Sequence, residues 1–304
     1  MDTAFQVADL PGRIGLVTFD MPGKKVNTFS RPVLEEMAGL LDRLEQKTDW
    51  QGLLFRSGKQ GQFIAGADLR ELAALSEGSP EGVHQFLEIG HKLFNRWSNL
   101  PFPTVALIDG TCLGGGTEFS LALDHRLAAE TPAIRIGLPE TRLGMIPGWG
   151  GTQRMPRVIG VPRALEMICV GEPISAEEAQ SWGLVEAVIP PEKVIETSCR
   201  LIQEWHQGGG WQTLRQSRRK PVAISPAEWD AMSAVLQKEN GGKSDARGTA
   251  RLAALQAIRE GIGRKLSEGL EIERRVAATV IGSPGSAALI AEFFGAKRKP
   301  ETGR

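Results

Sequence analysis

Short strand-like apolar segments alternate with segments of helical apolar spacing through the first two thirds of this 304-residue chain. Strand-like runs lie at 14–19, 52–55 and 104–108, and helical spacing is found at 32–44 and 83–100. Alternation of this kind is typical of helices layered on a sheet, so the sequence predicts an α/β fold.

The pattern becomes helical towards the C-terminus, where three helices are predicted at 250–262, 264–281 and 284–296. Their apolar faces need a surface to cover. We therefore divide the chain into an α/β core at 1–205 and a C-terminal helical region at 206–304.

Three further local predictions concern chain connections and termini. The segment 127–136 is interpreted as an edge strand interrupted at Pro132, and 240–244 as a flexible loop. The charged residues 297–304 are expected to fray.

The charge balance excludes a basic field over the whole chain. Lys and Arg number 36 and so do Asp and Glu, which argues against nucleic acid as a main partner. No apolar run approaches the roughly 20 residues of a membrane span. Residues 1–5 lack the parts of a signal peptide, and three scattered cysteines form no disulfide framework or metal-ligand spacing. We therefore expect a cytoplasmic protein without a metal site.

A glycine cluster, Gly114-Gly115-Gly116, follows the strand at 104–108 across a short turn and opens an apolar helix. Glycine removes every Cβ from one side of the turn, so a ligand can approach the backbone. Free N–H groups at a helix start can hold an anion or a developing oxyanion, and Glu118 lies beside them. The alternative is an ordinary tight turn in which Glu118 complements the helix dipole.

A second run, at 137–152, contains too many Gly and Pro residues for regular structure, and long irregular segments are usually functional. Glu140 lies near its start, 22 residues after Glu118. Two carboxyl groups from different segments can share one water molecule and divide the roles of acid and base. The alternative is that Glu140 is a surface residue in a loop.

A third turn, at 63–69, again places small residues between a strand and a helix. The backbone N–H of Ala67 could be a second donor to the same oxyanion. The alternative is an ordinary turn in which Asp68 caps the helix.

Other catalytic classes find little support. His84, His91 and His206 lie in helical stretches and are expected on helix faces, whereas His125 could bond locally to Asp124. The sequence contains no GxSxG, HExxH or GxGxxG motif, which argues against a serine hydrolase, a zinc peptidase and nicotinamide chemistry.

Taken together and in this order, the motifs resemble the crotonase (enoyl-CoA hydratase/isomerase) superfamily over about residues 5–205. The matching segments are Lys25-Val26-Asn27, Ala65-Gly66-Ala67-Asp68-Leu69, Asp109-Gly110, Gly114-Gly115-Gly116-Thr117-Glu118, Leu138-Pro139-Glu140-Thr141-Arg142-Leu143-Gly144 and Pro147-Gly148-Trp149-Gly150-Gly151-Thr152.

The C-terminal part resembles a narrower group. The segment 257–273, which includes Gly269-Leu270-Glu271-Ile272-Glu273, is followed by Ser283-Pro284 and Phe293-Phe294, and together they are similar to the linker-helix region of the multifunctional fatty-acid oxidation α-chain. In that group the linker joins a hydratase half to a dehydrogenase half. This chain stops where the dehydrogenase would begin, so we expect no dehydrogenase activity from it.

The resemblance implies a spiral of repeated ββα turns and acyl-CoA thioester substrates. It implies that the N–H groups of Ala67 and Gly115 hold the thioester oxygen and that Glu118 and Glu140 are the catalytic pair. The residues that it implies for contact with coenzyme A or substrate are Lys25, Val26, Ala65, Gly66, Asp68, Leu69, Gly114, Pro139 and Gly148.

The expected activity is hydration of trans-2-enoyl-CoA in fatty-acid β-oxidation, without a separate cofactor. The alternatives are Δ3-Δ2-enoyl-CoA isomerisation, as a rival or a second activity, acyl-CoA hydrolysis, and a non-catalytic CoA-ester-binding or RNA-associated protein. A homo-oligomer (trimer or hexamer), or association with a separate dehydrogenase or thiolase chain, is also expected.

Overall fold

Two β-sheets and a shell of helices make up this computed structural model, which describes residues 3–76, 80–239 and 245–296. The strands are β1 (Phe5–Leu10), β2 (Ile14–Phe19), β3 (Gly52–Ser57), β4 (Gly61–Ile64), β5 (Thr104–Ile108), β6 (Gly110–Leu113), β7 (His125–Ala129), β8 (Arg135–Gly137) and β9 (Ala187–Ile189).

The helices of the core and of the C-terminal region follow in chain order. They are α1 (Arg31–Leu44), α2 (Leu69–Ser76), α3 (Pro80–Trp97), α4 (Gly115–Ala122), α5 (Gly151–Ile159), α6 (Val161–Val170), α7 (Ala176–Ser181), α8 (Val194–Gly208), α9 (Gly210–Ser217), α10 (Pro226–Glu239), α11 (Ala246–Ile262), α12 (Leu266–Val280) and α13 (Pro284–Ala296), with short 3-10 helices at Glu140–Leu143 and Pro191–Lys193.

The larger sheet has the order β1-β2-β3-β5-β7-β9, and the smaller has the order β4-β6-β8. Only β1 and β2 pair antiparallel among these strands, and all other pairs are parallel. Successive turns of the chain therefore place one strand in each sheet and then a helix: β3 and β4, β5 and β6, β7 and β8. This confirms the predicted α/β fold and its ββα spiral.

Burial explains why the central strands read as continuous apolar runs. All five residues of β5 are buried, because other elements of the fold cover both faces of a parallel sheet. Helix α3 lays its apolar side on the core through Phe86, Phe94 and Trp97, each at most 1% exposed.

The C-terminal helices α11, α12 and α13 lie where the sequence predicts helices, and they pack on the core of the same chain. Helix α11 contacts α12 and α5, and α12 contacts α3. Ala254, Ile258, Val276 and Ala277 are buried in the same apolar cluster as the strands. The division at residue 205 stays a prediction, because one continuous core spans both sides of it.

Two local predictions about the middle of the chain are wrong. The segment 127–136 is not one edge strand: β7 lies between β5 and β9 in the larger sheet, and β8 belongs to the smaller sheet. The turn around Pro132 carries the chain from one sheet to the other. A strand, β6, also occupies the place predicted as a short turn before the glycine cluster.

The expected bond between His125 and Asp124 is also wrong. His125 Nδ1 lies 3.2 Å from Glu186 Oε1, and its ring stacks on Trp205 at 3.7 Å. Asp124 instead accepts hydrogen bonds from Thr104 and Arg215. Asp124 lies just before β7 and His125 is its first residue, and each side chain finds its partner in a distant segment. The predicted loop at 240–244 and the tail at 297–304 lie outside the described residues.

Candidate active site

A cavity of about 920 Å³ lies between the smaller sheet and the C-terminal helices. Three predicted residues, Lys25, Val26 and Asp68, are not among its described lining residues, and Lys25 and Val26 are exposed to solvent. Their contact with coenzyme A stays a prediction. The predicted residues that line the cavity are Ala65, Gly66, Ala67, Leu69, Gly114, Gly115, Glu118, Pro139, Glu140 and Gly148.

The two turns that carry the predicted oxyanion donors touch each other. A Cβ on Gly115 would lie 3.3 Å from Ala67 N, and one on Gly66 would lie 3.5 Å from Gly115 N. Phe29 holds the residues on either side of Ala67, since Phe29 N donates to Gly66 O and Asp68 N donates to Phe29 O, both at 2.9 Å. Ala67 N takes no part in these bonds, so it remains available to a ligand in the cavity.

The glycine cluster is hydrogen-bonded to the end of the neighbouring strand β8. Gly114 N donates to Gly137 O at 2.9 Å, and Gly114 adopts φ of 53°, a left-handed conformation that favours glycine. The Thr117 hydroxyl donates to Gly137 O or to Cys112 O, at 2.9 and 2.8 Å. These bonds fix the start of α4, where the N–H of Gly115 has no carbonyl one turn upstream.

Glu118 stands in the first turn of α4 with its carboxyl group buried, and the residue is 2% exposed. Its Oε1 accepts hydrogen bonds from Trp149 N at 2.7 Å and from Gly151 N at 2.8 Å. The second glycine-rich run thus supplies donors that orient this carboxyl group. The backbone can approach because a Cβ on Gly151 would lie only 3.1 Å from Glu118 Oε1.

Glu140 begins the 3-10 helix Glu140–Leu143, which ends at Gly144 with φ of 69°. The residue is partly exposed, yet its Oε2 is shielded from solvent and has no hydrogen-bond partner among the described residues. A Cβ on Gly114 would lie 2.9 Å from Glu140 Oε1, so the glycine cluster makes room for this carboxyl group. Both predicted glutamates therefore lie on the wall of one cavity.

Burial is the largest cause that raises the pKa values of both glutamates. It raises the pKa of Glu140 to about 8, and the negative charge of Glu273 adds to the effect. Burial also raises the pKa of Glu118 well above its ordinary value, with Glu140 and Glu273 adding to it, while the N–H groups of Gly151 and Trp149 oppose the rise. Two close buried carboxyl groups resist ionising together, so they are suited to share one proton.

Apolar side chains from the core and from the C-terminal helices form the rest of the cavity wall. Met145 and Trp149 belong both to the core and to the cavity wall, since each is 3% exposed and lines the cavity. The other apolar lining residues include Leu72, Phe86, Leu87, Ile146, Ile281, Leu289 and Phe293.

Sequence reasoning missed one buried carboxyl group next to the site, that of Glu273 in α12. Its Oε1 accepts from Gly150 N at 2.6 Å, and its Oε2 accepts from Thr152 N at 2.8 Å. A signal was present in the sequence. Glu273 falls on the buried stripe of its helix, between Leu270 and Val276, where helical spacing calls for an apolar residue.

The described residues contain no group of three or more His, Cys, Asp or Glu side chains placed to hold a metal ion. Over the same residues, no single helix has the length and apolar character of a membrane span. The pair Leu266–Val280 and Pro284–Gly295, bent by 76°, meets that criterion only when taken together.

A two-sheet ββα spiral with paired buried carboxyl groups beside two adjoining backbone donors defines a protein of the crotonase superfamily. Within it, the chain belongs to the enoyl-CoA hydratase/isomerase family, whose model matches residues 10–235.

Solved structures agree with this assignment. An enoyl-CoA hydratase from Bacillus anthracis is 29% identical, with 98% of each chain covered and a TM-score of 0.58. An enoyl-CoA hydratase/isomerase from Xanthobacter autotrophicus Py2 is 22% identical (98% of this chain, 94% of that chain, TM-score 0.67). Human mitochondrial delta3-delta2-enoyl-CoA isomerase is also 22% identical (98% and 100%, TM-score 0.69). The last two likenesses show the fold alone.

Proposed function

We propose that this protein is an enoyl-CoA hydratase that adds water across the trans-2 double bond of acyl-CoA thioesters. The observation that carries the proposal is the presence of two glutamates, the buried Glu118 and Glu140 with its shielded Oε2, on the wall of a cavity that also presents the N–H groups of Ala67 and Gly115. Hydration needs a base for water, an acid for Cα and donors for the thioester oxygen, and these four residues supply them.

The reaction would proceed as follows. The thioester oxygen accepts hydrogen bonds from Ala67 N and Gly115 N, and negative charge moves onto it as water attacks Cβ. One carboxylate takes a proton from the water, and the other, protonated, carboxyl group delivers a proton to Cα. One oxyanion donor contributes roughly 3 kcal/mol to lowering such a barrier, so the two turns should matter as much as the carboxyl groups.

We propose separate roles for the two glutamates on the basis of their hydrogen bonds. Burial raises the pKa of both carboxyl groups, but Glu118 Oε1 accepts two backbone N–H groups that oppose the rise, so we assign Glu118 as the base that activates water. Glu140 Oε2 has no partner among the described residues, and burial raises the pKa of this carboxyl group to about 8. Glu140 is therefore the acid that protonates Cα.

A second candidate, Δ3-Δ2-enoyl-CoA isomerisation, is favoured by the same unpartnered Oε2 of Glu140. A single carboxylate there could remove a proton from Cα and return it to Cγ while the same two N–H groups hold the enolate. Glu118 would not be required for this proton transfer. The two activities can therefore coexist in one site and can be separated by mutation.

Absorbance of the conjugated thioester tests both candidates. Loss of absorbance with crotonyl-CoA, and then with a long-chain trans-2-enoyl-CoA, is expected for the hydratase, and the ratio of rates gives the chain-length class. Gain of absorbance with a trans-3-enoyl-CoA reports isomerisation. No change with any of these, together with tight acyl-CoA binding, would point to a non-catalytic CoA-ester-binding protein.

Two variants separate the roles. Glu118→Gln should lower hydration by orders of magnitude while isomerisation survives, and Glu140→Gln should lower both. Acyl-CoA binding should persist in each variant. If either variant hydrates crotonyl-CoA at the wild-type rate, the paired acid–base mechanism is wrong.

We extend the proposal to the cellular setting. It places the protein in fatty-acid β-oxidation in the cytoplasm, with coenzyme A as part of the substrate and no separate cofactor. The similarity of 257–273 to the linker of the multifunctional α-chain supports a separate dehydrogenase or thiolase chain as a partner. A homo-oligomer, trimer or hexamer, is the other assembly that we propose.

A further inference from the structure

Four consecutive backbone N–H groups at the start of α5 are shared alternately between two buried carboxyl groups. Trp149 N and Gly151 N donate to Glu118 Oε1, at 2.7 and 2.8 Å. Gly150 N and Thr152 N donate to Glu273, at 2.6 and 2.8 Å. The segment 149–152 is thus clamped from both sides, by Glu118 of the core and by Glu273 of the C-terminal region.

We propose that Glu273 is a positioning residue, which holds the segment 149–152 so that its other two N–H groups orient the base Glu118. This inference rests on the proposed function. Glu273 does not line the cavity, and it acts through backbone that lies between it and Glu118. The C-terminal helix α12 is by this inference a part of the active-site scaffold, in addition to being a cover for apolar surface.

The contacts of Glu273 hold its buried side chain in one position. The residue is 0% exposed, and besides the two N–H groups it accepts from Thr152 Oγ1 at 2.7 Å and lies 3.0 Å from His91 Nε2. Three of these four contacts come from α5 and the loop before it, and the fourth comes from His91 in α3. A carboxylate with this many donors is fixed, and it transmits its position to the loop.

Close packing restricts the conformation of the segment 149–152. A Cβ on Gly150 would lie 2.9 Å from Arg154 Nε, and Gly150 has φ of 116°, a conformation that only glycine adopts readily. On its other side, Trp149 is packed against Phe86 with ring centroids 5.1 Å apart. Loss of the Glu273 bonds would therefore leave the loop in place but less firmly held, so that Trp149 N and Gly151 N would orient Glu118 less well.

The test compares Glu273→Gln with Glu271→Gln as a matched control on the same helix. Glu271 is exposed and pairs with Arg274, away from the loop. We expect Glu273→Gln to lower kcat about 10- to 100-fold, because misplacing a catalytic group by about 1 Å can cost that much. KM should stay within about threefold, since Glu273 does not itself line the cavity and its backbone hydrogen-bond donors are Gly150 and Thr152, not Ala67 or Gly115. The control should keep both constants.

A role confined to folding would give a different pattern, in which activity falls only in proportion to the folded fraction. Wild-type kcat in folded Glu273→Gln, or a rise in KM without a fall in kcat, overturns the proposal. If that variant does not fold, Thr152→Val removes only the hydroxyl donor and should lower kcat severalfold at unchanged KM. Wild-type kcat in Thr152→Val would then overturn it.

Amide hydrogen exchange separates this proposal from the proposed function. If the wild-type protein transforms no enoyl-CoA, the proposed function fails, and exchange at 149–152 decides the positioning inference alone. Faster exchange there in Glu273→Gln, but not in Glu271→Gln, supports it. Equal protection of these amides in both variants overturns it.

Discussion

Gly115 lies in close contact with the Trp149 ring and with the turn that carries Ala67. A Cβ at this position would lie 2.8 Å from Trp149 Cζ3 and 3.3 Å from Ala67 N. The first distance is too short for two carbon atoms, and the second places a methyl group against the other oxyanion donor. Gly115→Ala therefore pushes on an aromatic ring and blocks an N–H group at once.

The Trp149 ring cannot move aside freely. It is 3% exposed and packs against Phe29, Phe86 and Phe94, with centroid distances of 6.0, 5.1 and 5.6 Å. Overpacking in such a core costs about 1–3 kcal/mol of stability. Loss of one oxyanion donor costs roughly 3 kcal/mol of transition-state stabilisation, which is about a 100-fold fall in kcat.

The assay is kcat and KM for crotonyl-CoA, together with thermal unfolding of the same preparations. Gly39→Ala is the matched control, since Gly39 is exposed in α1 and a Cβ there meets nothing within 4 Å. The control should keep its activity and gain about 0.5–1 kcal/mol of stability, because alanine favours a helix. Folded Gly115→Ala with kcat/KM within threefold of wild type would refute the assignment of the oxyanion site.

Three further predictions concern stability. Between pH 4.5 and about 8, folded Glu140 holds more protons than unfolded Glu140, so its contribution to stability is lost as pH rises. The free energy of unfolding of Glu140→Gln, measured with urea, should therefore rise by about 2 kcal/mol relative to that of the wild type between pH 5 and pH 8, after allowance for the partial exposure of Glu140. A relative fall would contradict the raised pKa of Glu140. Removal of residues 240–304 uncovers the buried faces of the core and of α5. We therefore expect size-exclusion chromatography to show aggregation or forced oligomerisation, and a soluble, active monomer would contradict this prediction. Asn27→Ala should cost about 2–3 kcal/mol by thermal unfolding, because the Asn27 amide bridges Met21 N, Phe19 O and Ser57 Oγ in the core, and an unchanged melting temperature would contradict this.

Much of the fold could be predicted because its signals are local. The apolar spacing of α1 and α3 and the three C-terminal helices were all placed within a few residues of their observed bounds. The split of 127–136 between two sheets could not be predicted, since it depends on which neighbours each strand finds. The same reason explains why His125 pairs with Glu186, 61 residues away.

The sequence by itself determined the chemistry that is available: two glutamates, glycines where a Cβ would collide, and small residues at strand-to-helix turns, in an order that marks the family. These signals survive in sequence because each depends on a few adjacent residues and on the backbone geometry that glycine allows. Only the tertiary structure decided how they are oriented. The donors that hold Glu118 come from 31 and 33 residues away, and those that hold Glu273 come from more than 100. Such contacts arise from packing of whole elements, and no local pattern records them.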